Sequence, residues 1–215
     1  MPVTLAAFFR RISAPSAHNV FNPWSDRDPG TDMRDDAPRH RLQRLRQHLD
    51  CRPRWILVGE ASGYQGCHVS GIPFTSERLI LEGRIPRVPA TGRLSGRTRP
   101  WSEHSATTVW GTLHDLGVAD RTILWNAFPW HPHQMGDRQS NRTPTPAERR
   151  AGLPVLESLL DAFPAATVFA VGRHAETSLR ELGREAHYVR HPSMAGAATF
   201  RQTLRTAITS AQGSA

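Results

Sequence analysis

Trp55-Ile56-Leu57-Val58-Gly59-Glu60 is the stretch on which the fold turns. Its four consecutive apolar residues neither alternate nor run on to helical length, the pattern of a strand buried on both faces in a parallel sheet. Gly59-Glu60 then ends it with a glycine and a carboxylate. The pattern returns in Thr122-Ile123-Leu124-Trp125, which ends at Asn126, and in Thr167-Val168-Phe169-Ala170-Val171. A shorter run, His187-Tyr188-Val189, leads to His191-Pro192-Ser193. Between them lie helical patterns. Residues 39–50 space Leu42, Leu45 and Leu49 under an Arg-rich outer face, and another helix is expected over 102–116. Thr145-Pro146-Ala147-Glu148 combines a Thr cap, a first-position proline and a glutamate three residues on. Further helices are expected over 173–182 and 196–209.

Strands alternating with helices specify an α/β protein, a three-layer α/β/α sandwich around a central four-stranded parallel sheet. With 215 residues, 38% of them hydrophobic, the chain can bury one such core. The main domain is expected over 51–210, with 1–50 forming an N-terminal helix and a wrapping segment packed on it. Such sheets bind their ligands outside the carboxyl ends of the strands. Three of those ends carry polar residues: Glu60, Asn126 and His191.

Charge narrows the partner. There are 27 basic against 19 acidic residues, a net charge of +8, which favours a polyanion; an Arg-encoding, GC-rich genome is the competing source of that excess. All 27 are arginine. Without lysine, the chain has no side-chain amine for a Schiff base. Residues 83–103 carry Arg84, Arg87, Arg93, Arg97 and Arg99 with no acid before Glu103, and read as an exposed basic loop. Cys51 and Cys67 alone supply neither a disulfide framework nor a four-cysteine iron–sulfur cluster. No apolar run approaches the ~20 residues that span a bilayer. The opening Val3–Phe9 run with Arg10-Arg11 reads as an ordinary first helix, with a cleaved transit segment as the alternative, and a cytoplasmic protein is expected.

The strand-end residues carry a resemblance. Gly59-Glu60-Ala61-Ser62-Gly63 with Gly71-Ile72-Pro73-Phe74 resembles the first motif of the uracil-DNA glycosylase superfamily, closest to the iron–sulfur branch. Asn126, with Asn141-Arg142-Thr143-Pro144-Thr145, is similar to that branch's second region. His191-Pro192-Ser193 is similar to the third motif, which opens the loop that enters DNA. The likeness runs from about residue 52 to 208.

It implies an enzyme that flips a base out of DNA and cleaves its glycosidic bond. Phe74 resembles the stacking aromatic, and Asn126 the amide that reads uracil N3–H and O4. His191 resembles the donor toward O2 of the departing base. Gly59, Ala61, Ser62 and Gly63 would line the substrate pocket. Glu60 is the candidate for activating water, with His68 as an alternative base. For DNA contacts the candidates are Arg84, Arg87, Arg93, Arg97 and Arg99 on phosphates, with Arg142, Ser193 and Met194 near the entering loop. The expected partner is DNA containing uracil or another deaminated base, met by a monomer that leaves an abasic site without strand cleavage.

The departures are specific. The iron–sulfur branch needs four cluster cysteines, and the two present here, Cys51 and Cys67, are not spaced for that role, with Trp130 about where one ligand would stand, so no cluster or other cofactor is expected. Ala61 stands where other branches place Asp or Asn. Ser62 replaces the usual proline. Gly63 replaces the tyrosine of the strict uracil branch, leaving selectivity to Tyr64 or Gln65. Sister activities on hypoxanthine, xanthine or mismatched thymine, and a uracil-DNA recognition or crosslinking protein with little turnover, are the alternatives.

Overall fold

The computed structural model describes residues 3–14, 18–193 and 195–213. In chain order its elements are α1 (Val3–Ile12), β1 (Val20–Phe21), α2 (Ala37–Leu49), β2 (Trp55–Ala61), α3 (Cys67–Ser70), α4 (Glu77–Leu81) and α5 (His104–Asp115), then β3 (Thr122–Phe128), β4 (His131–Pro132), α6 (Pro146–Ala162), β5 (Thr167–Val171), α7 (Arg173–Glu181), β6 (His187–Val189) and α8 (Ala197–Gly213). β2, β3, β5 and β6 form one parallel sheet in the order β3-β2-β5-β6. Trp55 lies level with Thr122 on one side and Thr167 on the other, and Gly59 level with Asn126. All four strands therefore deliver their C-terminal ends to one edge.

Side-chain alternation along each strand divides the core in two. Trp55, Leu57, Leu124, Phe169 and Val171 pack on one face with Trp110 of α5 and Phe200 and Leu204 of α8. Ile56, Val58, Ile123, Trp125 and Ala170 pack on the other with Phe8, Leu45, Leu156, Leu159 and Leu179 from α1, α2, α6 and α7. The result is the expected three-layer α/β/α sandwich. No helix among the described residues is long and apolar enough to cross a membrane.

Two segments depart from expectation. Only half of the arginines of α2 face outward: Arg39 and Arg46 are exposed, but Arg41 and Arg44 are buried. The wrapping segment covers Arg41, which donates to both carboxylate oxygens of Asp32 and to the carbonyls of Pro23 and Asp26, while Arg44 donates to the Thr91 hydroxyl and the Gly92 carbonyl of the 83–103 loop. The 83–103 loop is likewise less exposed than its charge suggested. Ile85, Val88, Leu94 and Trp101 are buried, and the Glu77 carboxylate gathers the loop by accepting the N–H groups of Leu94, Ser95 and Trp101 and the Ser95 hydroxyl.

The 127–144 segment is pinned at one end by β4, which pairs antiparallel with β1. At the other end is the expected capping box, Thr145 with Glu148, at the start of α6. Both ends of the loop that follows Asn126 are thereby fixed.

Candidate active site

A cavity of about 460 Å³ opens at the C-terminal edge of the sheet. Its lining includes Ala61, Ser62, Gly63, Phe74, Asn126 and His191, so the three sequence motifs meet in one place. Gly59 is not itself on the lining but lies directly behind Phe74 and Asn126. A Cβ there would collide with the tip of the Phe74 ring, standing 2.6 Å from its Cε2 and 2.7 Å from Asn126 Oδ1. Only a glycine leaves room for both groups.

Phe74 itself has φ of 50°, a left-handed backbone that costs a non-glycine residue about 1–2 kcal/mol. The turn brings its ring to 5.9 Å from the His191 ring, centroid to centroid. The Asn126 amide is oriented from behind. Ser62 Oγ donates to the Pro129 carbonyl and so presents a lone pair to Asn126 Nδ2, 3.4 Å away. This gives the serine that replaces the usual proline a physical role: it leaves Asn126 Oδ1 over Gly59, beside the Phe74 ring.

His191 is fixed by its own loop. The Ser193 N–H donates to His191 Nδ1 at 3.2 Å, and Ser193 Oγ lies 2.8 Å from the same nitrogen. A backbone donor makes Nδ1 an acceptor, so the proton of the neutral ring is on Nε2. Burial lowers the pKa of His191, and the nearby Arg190 charge lowers it further. The ring is thus held neutral, with one N–H to give. The tight loop needs Gly196, whose Cβ would stand 2.8 Å from the Ser193 carbonyl oxygen.

The uracil DNA glycosylase superfamily model matches residues 47–210, most of the chain and all four strands of the parallel sheet. The chain belongs to the uracil DNA glycosylase superfamily. Among solved structures, SMUG2 of Pedobacter heparinus superposes with a TM-score of 0.66 at 14% identity, covering 99% of this chain and 100% of that one. No curated protein matches.

The glycosylase motifs bring Phe74, Asn126 and His191 together, but the structure corrects several other candidates. Glu60 contributes to the cavity lining, yet strand alternation sends its side chain to the face opposite Asn126. Its Oε1 lies 3.8 Å from His174 Nε2 and accepts no hydrogen bond. His68 is not in the site. The ring is buried, stacked on Phe21 at 3.8 Å, with Nε2 2.9 Å from Asp28 Oδ2 and Nδ1 2.9 Å from His131 Nδ1. It ties the wrapping segment to the loop after β3. Burial raises the pKa of Asp28, but the hydrogen bond and charge of His68 outweigh it and hold the carboxyl well below the usual range.

The arginines divide by partner. Arg142 lines the cavity, but its five N–H groups are committed to Glu148, to the carbonyls of His133 and Asn19, and to its neighbour Thr143. It braces the loop and leaves no donor for a phosphate. Arg87 donates to the carbonyls of His48, Asp120 and Thr122, at the N-terminal end of β3 and away from the cavity. Arg84 is exposed near the same end, its carbonyl bonded to His114 at the close of α5. Arg93 closes its own loop onto the carbonyls of Arg97 and Thr98, with Nε 3.7 Å from Glu77. Arg97 and Arg99 remain exposed; Arg97 lies 4.0 Å over the Trp101 ring, which meets Tyr64 edge-on. Ser193 lines the cavity with its hydroxyl turned to His191. Met194 lies outside the described residues.

Neither Tyr64 nor Gln65 belongs to the cavity lining; Asn141 closes the side where Gly63 stands, its Oδ1 accepting the Tyr64 N–H at 3.0 Å. Cys51 and Cys67 lie at opposite ends of β2. Among the described residues no group of three or more His, Cys, Asp or Glu is placed to hold a metal ion. Several cavity residues had been given no role from the sequence, among them Cys67, Ser105 and, with a carboxyl to offer, Glu103. The signal for Glu103 was its place as the first acid after the basic run, directly before a helix.

Proposed function

We propose that this member of the superfamily is a monofunctional glycosylase that hydrolyses the N-glycosidic bond of uracil, or a related deaminated base, in DNA. The observation that carries this is the set of three groups in one cavity: a stacking ring, an amide fixed by Ser62, and a neutral imidazole with Nε2–H free to donate. The amide matches the N3–H and O4 edge of uracil by accepting at Oδ1 and donating from the Nδ2 hydrogen not given to Ser62. The imidazole donates toward O2, where negative charge develops as the base departs. Stacking on Phe74 contributes about 1–3 kcal/mol to holding a flipped base.

Arg97 and Arg99 are the candidate phosphate contacts, as exposed arginines of the 83–103 loop. The absence of lysine supports simple hydrolysis, leaving an abasic site on an intact strand. Action as a monomer in the cytoplasm belongs to the same proposal.

The test is incubation with oligonucleotides carrying a single uracil, hypoxanthine, xanthine or mismatched thymine, with alkali to reveal abasic sites. Preferential cleavage at uracil supports the reading. Cleavage only at another of these bases moves the specificity and keeps the reaction. Protein trapped on DNA without turnover supports a crosslinking role instead.

A further inference from the structure

Two glutamates near the basic loop, Glu77 buried and Glu103 half-buried, each put a carboxylate oxygen out of reach of solvent, and they differ in one respect. Glu77 accepts four hydrogen bonds and organises the loop. Glu103 accepts none at its carboxyl: Oε2 is buried without a partner, and although the residue precedes α5, its side chain does not cap the helix. The carboxyl is packed against Gly66, where a Cβ would collide with it. Leaving a carboxyl buried without a donor is costly, and no part of the local fold uses it.

The group nevertheless faces the cavity that holds Phe74, Asn126 and His191. The other carboxylate on the cavity lining is Glu60, which also has a buried oxygen without a partner, but strand alternation turns its side chain to the face opposite Asn126, 3.8 Å from His174, and residue 61 is alanine. We propose that Glu103 is the general base that activates the attacking water, an inference that rests on the glycosylase reading above. The water oxygen forms a bond to C1′ of the deoxyribose as its proton passes to the Glu103 carboxylate. The C1′–N bond breaks with its electron pair leaving on the base, whose charge is met by the His191 Nε2–H and the Asn126 amide. The departing base anion finally takes up a proton, and Glu103 returns its own to solvent.

The electrostatics suit this task. Burial pushes the Glu103 carboxyl up to about 7, where a base has both a useful ionised fraction and proton affinity. The titratable groups that share the cavity are Cys67, Glu60, His191 and Arg142. Burial pushes the Cys67 thiol up to about 12, so it stays neutral. Arg142 is paired with Glu148.

The experiment is single-turnover excision from pH 5.5 to 9 by wild type, Glu103→Gln, Glu103→Asp and Glu60→Gln, on the oligonucleotide that the wild type processes best. Binding to a duplex carrying an uncleavable tetrahydrofuran abasic analogue and thermal midpoints are measured in parallel. The wild-type rate should rise through neutral pH. Glu103→Gln should lose about 10²-fold or more and show no such rise, while binding stays within about 3-fold and the midpoint does not fall. Glu103→Asp should keep a rate that rises with pH, and Glu60→Gln should lose less than Glu103→Gln.

Three results would overturn the proposal: a Glu103→Gln rate that keeps its magnitude and its rise with pH, a wild-type rate that falls through neutral pH as expected for a general acid, or a loss of binding and stability that accounts for the lost rate. A wild type that excises none of the bases removes the glycosylase reading itself, an outcome separate from any difference between variants.

Discussion

Gly59→Ala places the smallest possible side chain directly behind Phe74 and Asn126, two residues that line the cavity. The new Cβ would stand 2.6 Å from Phe74 Cε2 and 2.7 Å from Asn126 Oδ1, whereas apolar carbons rest at about 3.5–4.0 Å. The ring must therefore retreat by on the order of 1 Å, and it has little freedom to do so. Pro73 precedes it, its backbone is already left-handed at φ 50°, and His191 flanks the ring. A displacement of that size at a binding group costs about 10²-fold in rate. Overpacking of this kind destabilises by about 1–3 kcal/mol, leaving most of the protein folded at 25 °C. The assay is single-turnover excision beside a thermal melt, with Gly92→Ala as the control, because its Cβ would meet nothing within 4 Å. Excision by Gly59→Ala within about 3-fold of the control would refute the claim that Phe74 and Asn126 form the base pocket over this residue.

The other predictions concern the residues that support the site. Ser62→Ala removes the hydroxyl that orients Asn126, and should lower the excision rate by about 10-fold while the thermal midpoint changes little; an unchanged rate would show that the amide needs no support. Arg142→Ala removes the ion-pair partner of Glu148 and the donor to three carbonyls, and should destabilise by about 2 kcal/mol, a fall in midpoint of about 4–8 °C for a chain of this size. An Arg142→Ala protein that melts with the wild type but binds DNA weakly would instead restore the phosphate role. His48 is buried with Nε2 accepting the Leu124 N–H, and burial, aided by Arg87, holds its pKa down to about 3. The unfolded chain takes up this proton below about 6.5, so the stability that neutral His48 contributes is complete above that pH and shrinks as pH falls toward 3. The midpoint difference between wild type and His48→Gln should accordingly narrow between pH 7.5 and 5, and a constant difference would contradict it.

The sheet was legible because each buried strand announces itself locally. Trp55–Val58 and Thr122–Trp125 are apolar runs that the structure places side by side in register. The polar residues that end the runs were legible for the same reason, so Asn126 and His191 could be placed at one edge before any coordinates. Direction across loops was not. His68 lies six residues beyond Ser62, but α3 turns it inward to Asp28, forty residues earlier in the chain. Arg41, Arg87 and Arg142 look like surface charge in a one-dimensional pattern, and only the fold shows which carbonyls and carboxylates surround them. Glu103 was invisible for the opposite reason: it resembles a solvated helix cap, and only the fold shows that it lines the cavity with a buried oxygen that has no partner.

The central claim is that the cavity at the end of the sheet removes a base by hydrolysis. Its most direct test is to quantify free base and abasic strand together, in the absence of alkali, after mixing excess enzyme with a uracil-containing duplex. Equal amounts of free uracil and intact abasic strand are predicted from the wild type, with Asn126→Ala and His191→Ala each slower by about 10²-fold or more. Strand cleavage without alkali, or uracil release at wild-type rate by both variants, would contradict the account.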